Sequence, residues 1–367
     1  MAKRCSTVET VAGMSLAAFY RDRRVFITGH TGFKGTWLCR MLLQMGANVT
    51  GYALPPEGPS VFASTNTAQE IRNIYGNVCE KTPLLAAMQA ARPEIVLHLA
   101  AKALVQECFA EPCEAYATNV MGTAYLLEAV RQTDTVRSVV VVTTDKVYEN
   151  KEWLWGYREH EPLGSGDPYA SSKACAELVT RAYRTAFLEA CGVAVSTVRA
   201  GNVIGGGDFA KTRIVPELVC AALEKRPATV RNPFSVRPYQ HVLEPLFAYL
   251  LLAKAQCLCP SLADCYNVGP EEADCRTTGE IATLFGKLWG EGFSWQRGKA
   301  LAMHEAGVLK LDSAKFRSAL GWQPTWRIEK ALSCVVDFAK RCAAGESPAL
   351  VMDAQINAFM IENQYDR

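Results

Sequence analysis

The chain has 367 residues, 49% hydrophobic and 21% charged, with 39 Lys and Arg against 37 Asp and Glu. That composition excludes a disordered chain, a coiled coil and a collagen-like repeat, and the length sets a prior of two domains whose core needs no disulfide or metal. A formal net charge of only +2 leaves no global field to draw the chain onto nucleic acid or an anionic membrane, so an anionic ligand has to be met by a local pocket.

Fourteen cysteines in 367 residues fall well short of the roughly 8–10% of a disulfide scaffold. They are scattered as buried free thiols are, which points to the cytoplasm. Cys257, Cys259, Cys265 and Cys275 lie close together, but the tightest pair has one intervening residue where zinc sites favour two, so they read as small core residues and no metal is expected. At the N-terminus, Lys3 and Arg4 precede a mild apolar run over 11–18 that resembles a weak signal peptide. Arg21, Asp22, Arg23 and Arg24 follow with no small-residue cleavage site before the first strand, so the chain reads as unexported. No apolar run is long enough to cross a bilayer.

Strand and helix signals alternate through the first half. Residues 25–28 form a short apolar strand ending in a glycine-rich turn, 37–45 an apolar-periodic helix, and 48–53 a second strand. A helix is expected over 83–91, a buried strand over 95–99 and a long helix over 116–131. Val139 to Val142 are four valines in a row, the mark of a strand covered on both faces. A helix over 169–190 and a strand over 193–198 complete the series. Alternation of this kind implies an α/β fold with a doubly wound parallel sheet. After Gly201 the texture changes, with a Gly205-Gly206-Gly207-Asp208 loop and prolines at 216, 227, 233, 238 and 245 punctuating short elements. Residues 1–200 are therefore expected to form a dinucleotide-binding domain and 201–367 a smaller substrate-binding one, with 240–268 returning to the first. Gly321-Trp322-Gln323-Pro324 separates a helix from a last one over 328–341, and 345–367 is a tail with no assigned order.

Three segments carry chemistry. Thr28-Gly29-His30-Thr31-Gly32-Phe33-Lys34-Gly35 sits between the first strand and the first helix, where glycines let the backbone approach a pyrophosphate held on a helix N-terminus. No Lys-Ser/Thr pair follows, so it is not a Walker loop. Tyr169-Ala170-Ser171-Ser172-Lys173 puts a phenol and an ammonium on one helical face, where the lysine is expected to depress the tyrosine's pKa and make it a base. Thr143-Thr144-Asp145-Lys146 lies where the valine strand runs out, the end of a parallel strand that faces a ligand crevice. Taken singly these have plainer readings: a structural turn, a surface Tyr over a Lys, an Asp capping a turn.

Together and in this order they resemble the extended short-chain dehydrogenase/reductase superfamily and its Rossmann-type fold. The run Gly29 to Gly35, Thr144 to Trp153, Trp155 to Glu159, Arg199 to Asp208, Arg237 to Pro245, His304-Glu305-Ala306 and Leu309 to Asp312 are similar to the CDP-glucose 4,6-dehydratase family. The Asp-Lys after Thr144 is the sharpest mark, since the related dTDP-glucose dehydratases carry Asp-Glu there.

The resemblance implies that Gly29, Thr31, Gly32, Phe33 and Gly35 hold the pyrophosphate of NAD, that Ala100, Ala101, Asn119 and Thr143 line its adenosine and nicotinamide side with Tyr169 and Lys173, and that Asn202, Arg213, Arg237 and His304 meet a nucleotide sugar. It also implies an internal redox cycle. Tyr169, activated by Lys173 and bonded to Thr144, takes the 4-hydroxyl proton as hydride leaves carbon 4. Lys146 then removes the carbon-5 hydrogen, or stabilises the enolate, and Asp145 protonates the departing 6-hydroxyl. Relatives pair the helices over 116–131 and 169–190 in a homodimer. Departures bear on the sugar nucleotide: Lys102 and Gln106 stand where the family carries Gln and Arg, Tyr239 stands for a Trp, and Phe209 replaces another aromatic; on the cofactor side, Asn77 stands for the acid often seen before the adenine. NADP is the other cofactor to weigh, because the second strand ends Gly51-Tyr52-Ala53-Leu54 without an acid and His30 or Lys34 could meet a 2′-phosphate. The rival functions are a dehydratase or 4-epimerase acting on another nucleotide sugar, and a non-catalytic dinucleotide-binding scaffold.

Overall fold

The unbroken valine run of Ser138–Val142 is buried at every position, as a β-branched strand covered on both faces must be. The structure, a computed structural model, describes residues 14–164, 166–299 and 306–363. Its strands are, in chain order, β1 Arg24–Thr28, β2 Asn48–Ala53, β3 Arg72–Tyr75, β4 Ile95–His98, β5 Ser138–Val142, β6 Ala194–Ala200, β7 Asn202–Ile204, β8 Ala228–Val230, β9 Val236–His241, β10 Cys265–Val268, β11 Cys275–Thr277 and β12 Trp295–Arg297. Seven of them make one sheet in the order β10-β6-β5-β4-β1-β2-β3, parallel throughout. This is the doubly wound, Rossmann-type sheet. The chain winds outward from β1 to β3, then crosses back to β4, so the loops after β1 and β4 part at the switch point where such sheets take their ligands.

Two apolar layers cover the sheet. On one face the helix Phe33–Gln44 and the helix Leu243–Leu258 pack Trp37, Leu38, Leu246 and Leu250; on the other lie Leu84, Met88, Leu126, Leu127 and Leu188. The helix Leu243–Leu258 and β10 thus belong to the main sheet. So does the tail, grouped above with the second region: its residues 348–362 form the helix Pro348–Glu362, which adds Val351, Met352, Ile356 and Phe359 to the layer around Trp37. Arg40 clamps it there, its Nε and Nη2 donating to Asp353 at 2.7 and 2.6 Å and its Nη1 to Glu70 at 2.7 Å. A third cluster, with Leu218, Ile281, Phe285, Leu332 and Val335, fills a smaller lobe around the sheets β11-β9-β7 and β12-β8.

Two long helices differ from their expected course. The stretch 116–131 is split into Pro112–Tyr116, a π-turn Ala117–Met121 and a helix Gly122–Arg131. A π-turn inserts an extra residue into the helical ladder and is frequent at functional sites; here it re-aims Asn119. The tyrosine helix runs Pro168–Tyr183 and ends in a second π-turn, Arg184–Leu188. It starts where it does because Asp167 Oδ1 accepts from Ala170 N at 2.8 Å and Pro168 occupies the first helical position, which needs no N–H partner. β3 carries no alternating apolar pattern, which is why the sequence reading passed over it.

Candidate active site

Gly29 follows β1 with φ +76°, and a Cβ there would stand 2.6 Å from Ala100 N. Only glycine lets the loops after β1 and β4 touch in this way. At Gly35 a Cβ would stand 2.2 Å from Gly29 O, so the turn closes on itself and delivers the chain straight into the helix Phe33–Gln44. A cavity of about 2130 Å³ opens at this point and runs along the ends of the parallel strands. Gly29, Thr31, Gly32, Phe33 and Gly35 line one end, with Ala100 and Ala101 beside them. A side chain at Gly32 would meet only Gly29 O, at 3.5 Å, so its absence leaves the cradle open towards the helix's free N–H groups. This backbone concavity and its positive helix end fit a dinucleotide pyrophosphate.

The middle of the cavity holds the second and third segments. Thr144 leaves β5 and caps the short 3₁₀ turn Asp145–Val147. Its Oγ1 donates to Asp145 Oδ1 at 3.0 Å, and the Tyr169 phenol hydrogen-bonds to the same threonine. Thr144 therefore stands between the phenol, whose pKa it lowers, and the carboxylate to which it donates. Asp145 is 1% exposed and its Oδ2 has no partner among the described residues. Lys146 Nζ lies 3.8 Å from Asp145 Oδ1. Lys173 Nζ donates to Val142 O at 2.7 Å, and burial lowers its pKa to about 8, against the pull of Glu177.

The lysine does not depress the tyrosine as the sequence reading expected. The Tyr169 phenol is pushed up to about 12, first by burial of its hydroxyl end, with the Thr144 hydrogen bond acting the other way. Asp145 and Cys108 add to the effect of burial and only Arg213 joins Thr144 in opposing it, while the Lys173 ammonium is hydrogen-bonded to Val142 O.

Other expected contacts are placed differently. Asn119 is buried and does not line the cavity; its Oδ1 accepts from Lys102 N, while its Nδ2 donates to Lys102 O and Ser172 Oγ. It straps the loop after β4 to the tyrosine helix. The Lys102 ammonium is taken up by Glu111 and Glu114, so no free cation is gained there, whereas Gln106 does line the cavity. Thr143 lines it too, but its hydroxyl donates to Glu177 at 2.5 Å. Glu177 was missed by the sequence reading; an acid four residues after Lys173 was the available signal.

His30 is buried beneath β2, 2.6 Å from Asn73 and edge-on to Phe62, and Lys34 lies among Lys173, Asp145 and Arg213. His30 is therefore taken and cannot meet a 2′-phosphate, while Lys34 lines the cavity beside Lys173 and Asp145. At the far end of the cavity are Asn202 on β7, Arg213, paired with Asp208 at 2.9 Å, and Arg237, 4% exposed and donating to Ala306 O at 2.6 Å. Tyr239 and Phe209 share that lining. His304 lies outside the described residues. Among the described residues no three His, Cys, Asp or Glu side chains gather as metal ligands, and no helix is long and apolar enough to cross a membrane.

Glycine cradle, Tyr-Lys pair and strand-end Thr-Asp-Lys on a parallel sheet are the equipment of a dinucleotide-dependent enzyme. The chain belongs to the NAD dependent epimerase/dehydratase family, whose model matches residues 25–269. It is 42% identical, over 93% of its own length and 97% of the relative's, to the CDP-glucose 4,6-dehydratase of Salmonella typhimurium. Among solved structures it shares its fold with a UDP-glucose 4-epimerase from Thermotoga maritima (TM-score 0.76, 20% identity, 87% of this chain and 99% of that one). It shares it likewise with a dTDP-glucose 4,6-dehydratase from Bacillus anthracis solved with NAD (TM-score 0.73, 21% identity, 89% and 99%).

Proposed function

We propose that the chain is a hydro-lyase that dehydrates CDP-glucose to CDP-4-keto-6-deoxyglucose with NAD. The observation that carries this reading is the placing of Thr144 between the Tyr169 phenol and Asp145, whose other buried carboxylate oxygen is unpartnered among the described residues with Lys146 alongside. A 4-epimerase needs the phenol but has no elimination for an adjoining acid and amine to drive. The 42% identical relative supports the same reaction and the same nucleotide.

NAD, when bound, would supply the hydride acceptor for carbon 4 and the donor for carbon 6. Gly29, Gly32 and Gly35 would hold its pyrophosphate against the backbone, with Thr31, Phe33, Ala100, Ala101 and Thr143 shaping the remaining wall. Tyr169 Oη takes the 4-hydroxyl proton, and Lys173 lends positive charge that offsets the burial opposing the phenolate. Lys146 Nζ receives the carbon-5 proton, which the 4-ketone has acidified, and returns it to carbon 5 as hydride is added at carbon 6. Asp145 Oδ2 protonates the departing 6-hydroxyl, and its proton is replenished through Thr144 from Tyr169. Asn202, Arg213 and Arg237 hold the nucleotide sugar, the guanidiniums suiting its diphosphate.

The protein works in the cytoplasm as a homodimer. The stretch 112–121 exposes Tyr116 and Met121, and the tyrosine helix with the π-turn that ends it exposes Leu178 and Phe187, apolar groups that suit a two-fold contact. Light scattering should report twice the chain mass, and a monomer at all concentrations refutes the pairing. The function itself is tested by incubating the purified protein with NAD and CDP-glucose and weighing the product. A sugar nucleotide lighter by one water supports the reading. Conversion of UDP- or dTDP-glucose in its place overturns the nucleotide, and binding without any conversion overturns the enzyme.

A further inference from the structure

We propose that the Lys34 ammonium is a ligand for a phosphoryl oxygen where the cofactor and the sugar nucleotide meet in the cavity. This rests on the reading that the cavity takes two nucleotide diphosphates.

Lys34 is the second residue of the helix Phe33–Gln44, whose first turn holds no acid. A cation at that end opposes the positive pole of the helix and costs stability unless an anion answers it. Its side chain lines the cavity yet makes no hydrogen bond or ion pair among the described residues. Its cationic neighbours are otherwise engaged: Lys173 with Val142 O, Arg213 with Asp208, Lys146 beside Asp145.

The charged groups acting on Lys34 are Lys173 on the tyrosine helix, Asp145 after β5, and Asp208 and Arg213 after β7. Together with Lys146 this is a set of cations short of negative charge, and both carboxylates already have cationic company. Burial and the two nearest cations bring Lys34 down to about 7. A neutral sugar hydroxyl cannot balance such a site, whereas a phosphoryl oxygen can, and the helix N–H groups beside Lys34 favour the same charge. The phosphoryl group belongs either to the cofactor's pyrophosphate or to the sugar nucleotide's diphosphate.

Near pH 8 the ligand-free lysine is mostly neutral, and an anion docking on it restores its proton. Binding should therefore take up close to one proton. Titration calorimetry at pH 8 in Tris and in HEPES, with NAD and with CDP as separate ligands, reads that uptake directly. Uptake with NAD assigns Lys34 to the pyrophosphate, and uptake with CDP assigns it to the substrate. Lys34→Met should remove most of the uptake, leaving only what Lys173, itself near 8, takes up, and weaken that ligand by about tenfold or more, as loss of a charge-assisted hydrogen bond does. Lys34→Arg, charged at every working pH, should keep the affinity and lose the same uptake, which also covers the case in which the Met variant does not fold. Unchanged uptake in Lys34→Arg, or unchanged affinity for both ligands in folded Lys34→Met, overturns the proposal. Product mass with the wild-type protein tests the dehydratase reading separately.

Discussion

Glu177, one turn along the helix from Lys173, grips Arg199 of β6 at two points, 2.9 and 3.0 Å. The same carboxylate accepts from Thr143 Oγ1 at 2.5 Å and Thr197 Oγ1 at 2.6 Å, and Arg199 Nη1 donates on to Tyr148 at 2.8 Å. A buried charge is tolerable only when its oxygens are answered in this way. The knot ties the tyrosine helix to the ends of β5 and β6, from which Thr144 and Asp145 project. Glu177→Gln should therefore lower unfolding stability by about 3–5 kcal/mol, the cost of leaving Arg199 buried without its partner. A urea midpoint within error of the parent would show that the knot carries no such weight.

The two halves of the proposed reaction should come apart by mutation. Tyr169→Phe removes the group that takes the first proton, and no reduced cofactor should form on adding CDP-glucose. Replacing Asp145 by Asn and Lys146 by Met leaves that step intact but removes the acid and amine of the elimination. This double variant should accumulate reduced cofactor, seen by its near-ultraviolet absorbance, and a 4-keto sugar that keeps its 6-hydroxyl. Release of the 6-deoxy product at close to the parent rate would show that other groups drive the elimination.

Arg237 donates to Ala306 O and Val236 O while lining the cavity, so it is built into the wall at a place where, on the proposed function, it would also meet the ligand. Arg237→Ala should weaken CDP-glucose binding by about 2 kcal/mol or more, as loss of a charge-assisted hydrogen bond does. It should also lower the melting temperature, because the Ala306 carbonyl loses a partner. An unchanged dissociation constant by calorimetry would confine the residue to the wall.

Glu244 accepts from Thr325 N and Trp326 N, yet burial pushes its carboxyl up to about 8. In the unfolded chain it loses its proton above its ordinary value near 4.5, while the folded protein keeps the proton until about 8. The unfolded state then binds fewer protons across that window, so this group erodes stability as pH rises from about 4.5 to 8, by up to about 1.4 kcal/mol per pH unit. Glu244→Gln cannot ionise and should remove this dependence. Urea midpoints of parent and variant at pH 5, 6.5 and 8 should diverge progressively in the variant's favour; a constant difference would mean the carboxyl is ionised throughout.

By itself the sequence determined the features that are local in the chain. The valine run of β5, the glycine spacing from Gly29 to Gly35 and the four-residue step from Tyr169 to Lys173 each obey a short-range rule of burial, backbone freedom or helical pitch. That is why the doubly wound sheet, the cradle and the placing of Thr144, Asp145 and Lys146 were legible. The tertiary structure alone decided matters that depend on which distant segments meet. It turned Asn119 from the cavity wall to a strap on Lys102, gave the Lys102 charge to Glu111 and Glu114, and folded the tail back so that Asp353 could meet Arg40 across more than 300 residues. It also set the Tyr169 phenol near 12 rather than low. The pKa of that phenol is a balance of desolvation against charge, and burial, unlike helical pitch, is a property of the whole packed molecule.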